Sequence, residues 1–259
     1  MKINIPVKDN EKLAAVIRNC EASVELEQLL KCCNVTAINR LGYSDHGPTH
    51  VLVSANIALK IFRILAEAGV KPSLIKDYSD QGFDARDAEV VVVLGTFLHD
   101  VGMSVHRGHH ERYGVAVADN LLPSLLAGVY DGAQLVVMKS EILHCIASHE
   151  QDQALSLEAG VVKVGDALNM TEGRSKIPFQ AGKLNIHSVS AQAISGIELK
   201  AAKGPKPVKV EIFMSNSAGI FQVDELLKAK LSTSGISGYV SIVARVSGTE
   251  KSIVKEIDL

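Results

Sequence analysis

His99-Asp100 places an imidazole beside a carboxylate at the end of an apolar run, Ala88-Glu89-Val90-Val91-Val92-Val93-Leu94-Gly95-Thr96-Phe97-Leu98. A neutral imidazole and a carboxylate at the mouth of a buried element can serve as ligands for a divalent metal ion. Taken alone the dipeptide says little, because a single histidine in a helical protein is most often a surface or hydrogen-bonded core residue. Other residues of the same chemistry surround it. His50 lies upstream, and His110, His149 and Asp166 lie downstream. Asp166 by itself reads equally well as a helix N-cap, and Glu111 as a solvated first-turn acid. What singles the set out is its order: His, then His-Asp, then His-Glu-x-x-Gly, then Ile-x-x-His-Glu, then Val-x-x-x-Asp-Ala-Leu.

Spacing narrows the candidates. His46 and His50 are four apart, but Pro48 between them suits the first turn of a helix, so only His50 is securely helical. His144 and His149 are five apart, about 140° around a helix, so at most one of them faces a shared site. His106 and His109 line the approach at most.

These residues need elements to hold them. From about Asp9 to Thr36 apolar residues recur at three- and four-residue intervals, an amphipathic helical pattern with a break near Ser23. A turn-rich stretch, residues 39–48, precedes a helix over Thr49–Ala68 that stops at Gly69. Residues 71–84 read as a polar connection. Asp84 is a candidate N-cap for the segment leading to His99. Its valines would also suit a buried strand, but Ala85–Asp100 is long for a strand and its neighbours are helical. Further helices are expected at His110–Ala127, Gln134–Ser148 and Leu157–Met170, the last with a start delayed by Gly160. Thr171–Lys183 reads as a loop, with a short helix around Val189–Ile194. Ile197–Ala202 and Val208–Met214 flank a Gly-Pro-rich turn as a hairpin. Gln222–Leu231 reads as helix, and Tyr239–Val246 with Lys251–Ile257 as a second hairpin. The expected architecture is mainly α: a helical domain over 1–195, and a small α+β appendage of ββαββ order over 196–259.

Composition sets the limits. With 259 residues and 47% hydrophobic residues the chain can bury a large core. Its 27 basic and 29 acidic residues nearly balance, which argues against an extended nucleic-acid surface, and the absence of tryptophan weakens a base-stacking role. Cys20, Cys32, Cys33 and Cys145 include no Cys-x-x-Cys pair, so neither a zinc ribbon nor a dithiol redox motif is indicated; a reducing, cytoplasmic location fits. The N-terminus has no signal-peptide core, and the valine run is too short to span a bilayer.

The motif order resembles that of the HD-domain superfamily of metal-dependent phosphohydrolases, with the likeness covering about residues 40–170. The signature H…HD…D falls on His50, His99-Asp100 and Asp166, and the two further histidines of two-metal members match His110 and His149. Residues 171–190 are similar to archaeal and bacterial HD proteins. The resemblance implies a helical bundle holding one or two divalent transition ions (Mn, Fe, Ni, Co or Zn). Asp100 would bridge; His50, His99 and Asp166 would hold one ion, and His110 and His149 help hold the other. A metal-bound hydroxide would attack a phosphomonoester or phosphodiester of a nucleotide-like small molecule. Arg112, Lys139, Arg174 and Lys176 are candidate phosphate contacts, and His187 a candidate general acid or outer-shell group. Asp45 and His46 are candidates to orient His50. Many members carry a lysine three residues after the aspartate; here that residue is Met103, so a phosphate-positioning cation must come from elsewhere or be absent. The same scaffold also supports di-iron oxidases and non-catalytic metal- or ligand-binding regulatory modules. The C-terminal unit is expected to form a homodimer, bind a regulator or cover the pocket, and none of its residues reads as catalytic.

Overall fold

A computed structural model describes residues 1–171 and 190–247, and the backbone of 256–258. The long amphipathic stretch near the N-terminus splits into α1 (Glu11–Ala22) and α2 (Val24–Asn34), with Asn10 and Ser23 as N-caps accepting from the amides of Leu13 and Leu26. One serine thus ends one helix and begins the next, because its side chain satisfies an otherwise unpaired amide. A wider π-turn (Val35–Arg40) follows, and then α3 (Pro48–Glu67). The connection over 71–84 contains a short helix, α4 (Ser73–Asp77), that the polar composition did not announce.

The valine-rich segment is a helix, α5 (Ala85–Leu98). Asp84 and Asp87 form a capping box at its start. The second oxygen of Asp87 accepts from the Tyr130 hydroxyl at 2.7 Å and from Lys12 at 2.6 Å. Every residue from Val90 to Leu98 is buried, as a helix that is apolar on all sides must be. It packs against α3, α7 (Gly132–Ser148) and α8 (Leu157–Ala167), and α6 (His110–Leu125) packs on α7. α3 is long and apolar enough to cross a bilayer by composition, yet 56% of its apolar window is buried in the protein and it carries His50. Its hydrophobicity is spent on the core.

Two expectations around α8 need correction. The helix begins at Leu157, capped by Ser156, with no delay at Gly160. Gly160 lacks a side chain for another reason: a Cβ there would stand 2.1 Å from the Ser234 carbonyl oxygen, where the C-terminal unit crosses the helix. Asp166 lies in the last turn of α8, so its N-cap alternative is not realised.

The C-terminal unit is a four-stranded sheet in the order β1 (Ile194–Ala201), β2 (Val208–Met214), β3 (Val240–Val246), β4 (Glu256–Asp258). β1 and β2 form the antiparallel hairpin, Ala201 opposite Val208. β2 and β3 run parallel, so the chain between them must cross over. The crossover contains a π-turn (Gln222–Leu227) and α9 (Lys228–Ser232), where a single regular helix was expected, and α9 packs on α8. β3 and β4 are antiparallel; the turn of this second hairpin lies outside the described residues. Residues 190–192 are helical, but Ile194 already opens β1 rather than ending a helix.

Glu158, on α8, is buried, with one oxygen accepting from the Leu74 amide at 3.1 Å and the other without a partner. Burial pushes its carboxyl up to about 7 from an ordinary 4.5. A raised carboxyl favours the fold fully below its unfolded value and loses that contribution as pH rises through the folded value. Between pH 4.5 and 8, chemical denaturation of wild type and Glu158→Gln is expected to show the variant gaining relative stability with rising pH, by about 3 kcal/mol at most. A constant difference between the two proteins would show that Glu158 does not titrate in this window.

Candidate metal centre

Each site residue sits where a helix begins or ends. His50 is the third residue of α3, and the turn before it is fixed by Asp45, whose side chain accepts from the amides of Gly47 (2.9 Å) and His50 (3.0 Å). Asp45 therefore orients the backbone of His50 rather than its ring. Asn34 at the end of α2 holds Asp45 at 2.6 Å. His99 closes α5, and Asp100 leads into a 3-10 turn over Val101–Ser104. That turn is pressed on α6: a Cβ at Gly102 would stand 2.0 Å from the His110 carbonyl oxygen. His110 opens α6 after His109, which adopts the left-handed conformation (φ 59°). His149 caps the end of α7. His50, His99, Asp100, His110, His149 and Asp166 are all buried.

Their polar atoms converge in two groups that share Asp100. Oδ2 of Asp100 stands 3.3 Å from Nε2 of His50 and 3.2 Å from Nε2 of His99, which are 3.1 Å apart. Oδ1 stands 3.1 Å from Nε2 of His110 and 3.7 Å from that of His149, also 3.1 Å apart. Oδ1 of Asp166 joins the first group, 3.1 Å from His50 and 3.4 Å from His99. These buried histidine and aspartate groups could hold metal ions.

The donor chemistry fits such ions. Nδ1 of His99 and of His149 each lies 2.7 Å from a carbonyl oxygen, of Thr96 and Ile146, whereas Nδ1 of His110 is 3.1 Å from both the carbonyl and the guanidinium of Arg107. A ring nitrogen facing only a carbonyl carries the proton, so in neutral His99 and His149 Nε2 turns a lone pair inward. Lone pairs and carboxylate oxygens at these separations repel unless a cation lies among them. Ligands about 2.1 Å from one ion at 90–110° stand about 3.0–3.4 Å apart, the spacing of the first group; the second is wider at His149. Mixed imidazole and carboxylate suits Mn, Fe, Co, Ni or Zn better than Ca, which takes an all-oxygen shell. Without an ion, protons take up part of the conflict. Burial disfavours charge on His99, but Asp100 and Asp166 outweigh it and raise the ring to about 10. Burial and the neighbouring His99 lower His149 to about 3. Burial opposes ionisation of Asp100, yet His99 and the other imidazoles hold its carboxyl well below the usual range.

The structure does not bring every expected residue to this centre. Arg112, two residues past His110, turns outward with its side chain 76% exposed. Lys139 pairs with Asp119 at 2.8 Å, ten residues and about 15 Å of helix from His149. Arg174, Lys176 and His187 lie outside the described residues. Nε2 of His144 accepts from the Leu155 amide, which leaves His149 as the member of that pair at the centre. The His46 ring lies 5.5 Å from the His50 ring. Met103 is buried with Cys33 and Ala37, and the Cys33 thiol donates to the carbonyls of Asp100 (3.5 Å) and Val101 (3.7 Å), tying α2 to the Asp100 turn.

Three residues went unnoticed in the sequence reading. The Asn169 amide sits 2.8 Å from Nδ1 of His50 and 3.1 Å from Ser54 Oγ, holding the ring that faces Asp100. Asn169 lies just past the end of α8, where its backbone amide donates to the Asp166 carbonyl at 3.0 Å. Glu150 Oε1 lies 3.8 Å from Nε2 of both His110 and His149. Lys230 reaches Asp166 from α9, and nothing local to residue 230 announces that.

Two outcomes follow for metal binding, read by elemental analysis after loading and desalting. Asp100→Ala is expected to lose nearly all bound divalent metal, whereas His144→Ala retains it. Gly102→Ala, which displaces Asp100 from His110, is expected to lower metal affinity by about ten- to a hundredfold, the range seen when support behind metal ligands is lost. Full retention by Asp100→Ala would remove the centre from consideration.

Over 236 aligned residues the chain is 41% identical to the uncharacterized protein MJ1020 of Methanocaldococcus jannaschii, an alignment covering 91% of this chain and 89% of that protein. No family model matches the chain, and no solved structure matches it. With the likeness running nearly end to end in both proteins, the chain belongs to the family of that archaeal protein.

Proposed function

We propose that the chain is an HD-superfamily metallohydrolase that cleaves a phosphate ester of a nucleotide-like small molecule. The observation that carries this reading is the division of Asp100 between two histidine pairs, Oδ2 toward His50 and His99 and Oδ1 toward His110 and His149. A carboxylate so shared could serve two ions at once, and Asp166 would add a second carboxylate beside His50 and His99. Two divalent ions in such a site supply Lewis acidity toward a phosphoryl oxygen and a water ionised near neutral pH.

The chain's own residues then have defined tasks. His50, His99, Asp100 and Asp166 would hold one ion; Asp100, His110 and His149 would hold the other. Asn169 fixes the His50 ring, and the Thr96 and Ile146 carbonyls fix His99 and His149 in the tautomer that ligates through Nε2. Burial of all six candidate ligands keeps bulk water out and strengthens every charge interaction inside. His187, Arg174 and Lys176 remain candidates for proton transfer and phosphate contact.

The test is a panel of phosphomonoesters and phosphodiesters with protein loaded with Mn, Fe, Co, Ni or Zn, followed by phosphate release or ester cleavage. Metal-dependent turnover is expected, abolished by chelation and lowered about a thousandfold or more in Asp100→Ala. Metal uptake with no ester cleaved would sink the hydrolase reading. Oxygen consumption by an iron-loaded protein, without phosphate release, would favour an oxidase on the same ligands.

A further inference from the structure

Lys230 belongs to the C-terminal unit by sequence and to the metal centre by position. Its ammonium stands 2.7 Å from Oδ2 of Asp166 and 3.6 Å from Oε1 of Glu150, with the side chain 21% exposed. Oδ1 of that Asp166 faces His50 and His99, and the same Glu150 oxygen faces His110 and His149. One cation therefore spans the edges of both ligand groups. Among the described residues, no other lysine or arginine stands within ion-pair distance of Asp100 or Asp166.

The chain goes to some length to put it there. Gly160 lets the Ser234 carbonyl lie directly on α8. The Ala154 amide donates to the Thr233 carbonyl at 3.0 Å. Lys163, buried on α8, donates to the Asp152 carbonyl at 2.7 Å and pins the loop that follows His149 and Glu150. The segment after α9 is thus fastened to both elements that frame the ammonium.

Charge gives the consequence. Two divalent ions bring four positive charges; Asp100, Asp166 and Glu150 remove three; Lys230 restores one. The groups so counted would together carry two positive charges, a field that favours a dianion. A phosphomonoester approaches two negative charges near neutral pH, because its second pKa is about 6, while a diester carries one. An ammonium has three N–H donors. One goes to Asp166; Glu150, at 3.6 Å, is an ion-pair partner beyond hydrogen-bond reach. Donors therefore remain for a ligand oxygen.

We propose that Lys230 is a substrate-binding residue that holds a phosphoryl oxygen at the metal centre, and that the site is matched to phosphomonoester dianions rather than diesters. The C-terminal unit then supplies the cation whose place in the helical half is taken by Met103. The inference rests on the hydrolase reading above.

The test uses the full chain loaded with Mn²⁺, as wild type, Lys230→Met and Lys230→Arg. Bound Mn is measured by elemental analysis, inorganic phosphate binding by calorimetry at about pH 8, where phosphate is a dianion, and turnover with p-nitrophenyl phosphate and bis(p-nitrophenyl) phosphate. The Met variant is expected to keep its Mn, to bind phosphate about ten- to a hundredfold more weakly, as for the loss of one charge-assisted hydrogen bond, and to lose monoester over diester preference. The Arg variant is expected to recover most of the phosphate affinity. Phosphate binding by the Met variant as tight as wild type overturns the proposal and leaves the hydrolase reading standing. Loss of Mn in both variants overturns it too, making Lys230 a support for Asp166. A wild type that takes up Mn yet neither binds phosphate nor cleaves either ester removes the hydrolase reading and this inference with it.

Discussion

Everything in this protein is arranged around the burial of one carboxylate among four imidazoles. Asp100 sits where a charge is expensive, at the end of a helix with no exposed residue from Val90 to Leu98. Taking a charge out of water costs several kcal/mol unless it is paired and hydrogen-bonded. Here the compensation is the ring of histidines, each held by a partner outside the ring: Thr96 for His99, Ile146 for His149, Arg107 for His110, Asn169 for His50. Remove the central charge and the same ring becomes four imidazoles facing one another across about 3 Å with little reason to stay. The ligands and the core are therefore one construction.

The helices show how that construction is made from ordinary parts. Helix ends expose amides and carbonyls that need partners, and this fold spends its ends on the site. The start of α3, the ends of α5 and α7, the start of α6 and the last turn of α8 all meet there. Side chains at helix ends project into the same space while the helix bodies pack on one another to form the core. Gly102 permits the close contact between the Asp100 turn and α6, and the Cys33 thiol braces that turn from beneath. Rigid elements that bring their ends together fix the candidate ligand atoms more closely than loops of equal length would.

How much of this could be read from the chain depends on the range of the interaction. Local signals served well: Ser23 as a helix boundary, Asp84 as the cap of α5, Pro48 at the start of α3, and the strand pair around the turn at 202–207 are each set by neighbours in sequence. The grouping of His50, His99, Asp100, His110 and His149 was legible because the order of the motifs carried it. What failed was reading a residue by its type alone. Arg112 and Lys139 are cations near site residues in sequence, but the helical repeat turns one outward and carries the other a long way up α7. Gly160 looked like a helix interruption because its cause, the backbone of Ser234, is far along the chain. Lys230 went unnoticed for the same reason, since its partner Asp166 is 64 residues away.

That separation has a consequence for how the protein is made. A chain is synthesised from its N-terminus, and helices with local contacts form early. When Leu168 has emerged, all six candidate ligands exist and their helices can dock, while the Lys230 ammonium that pairs with Asp166 is made 64 residues later. The helical half made first therefore lacks one positive charge that the folded centre carries, a difference that favours cation uptake before α9 is synthesised. The crossover between β2 and β3 thus adds a charge to a centre whose candidate ligands were made long before it.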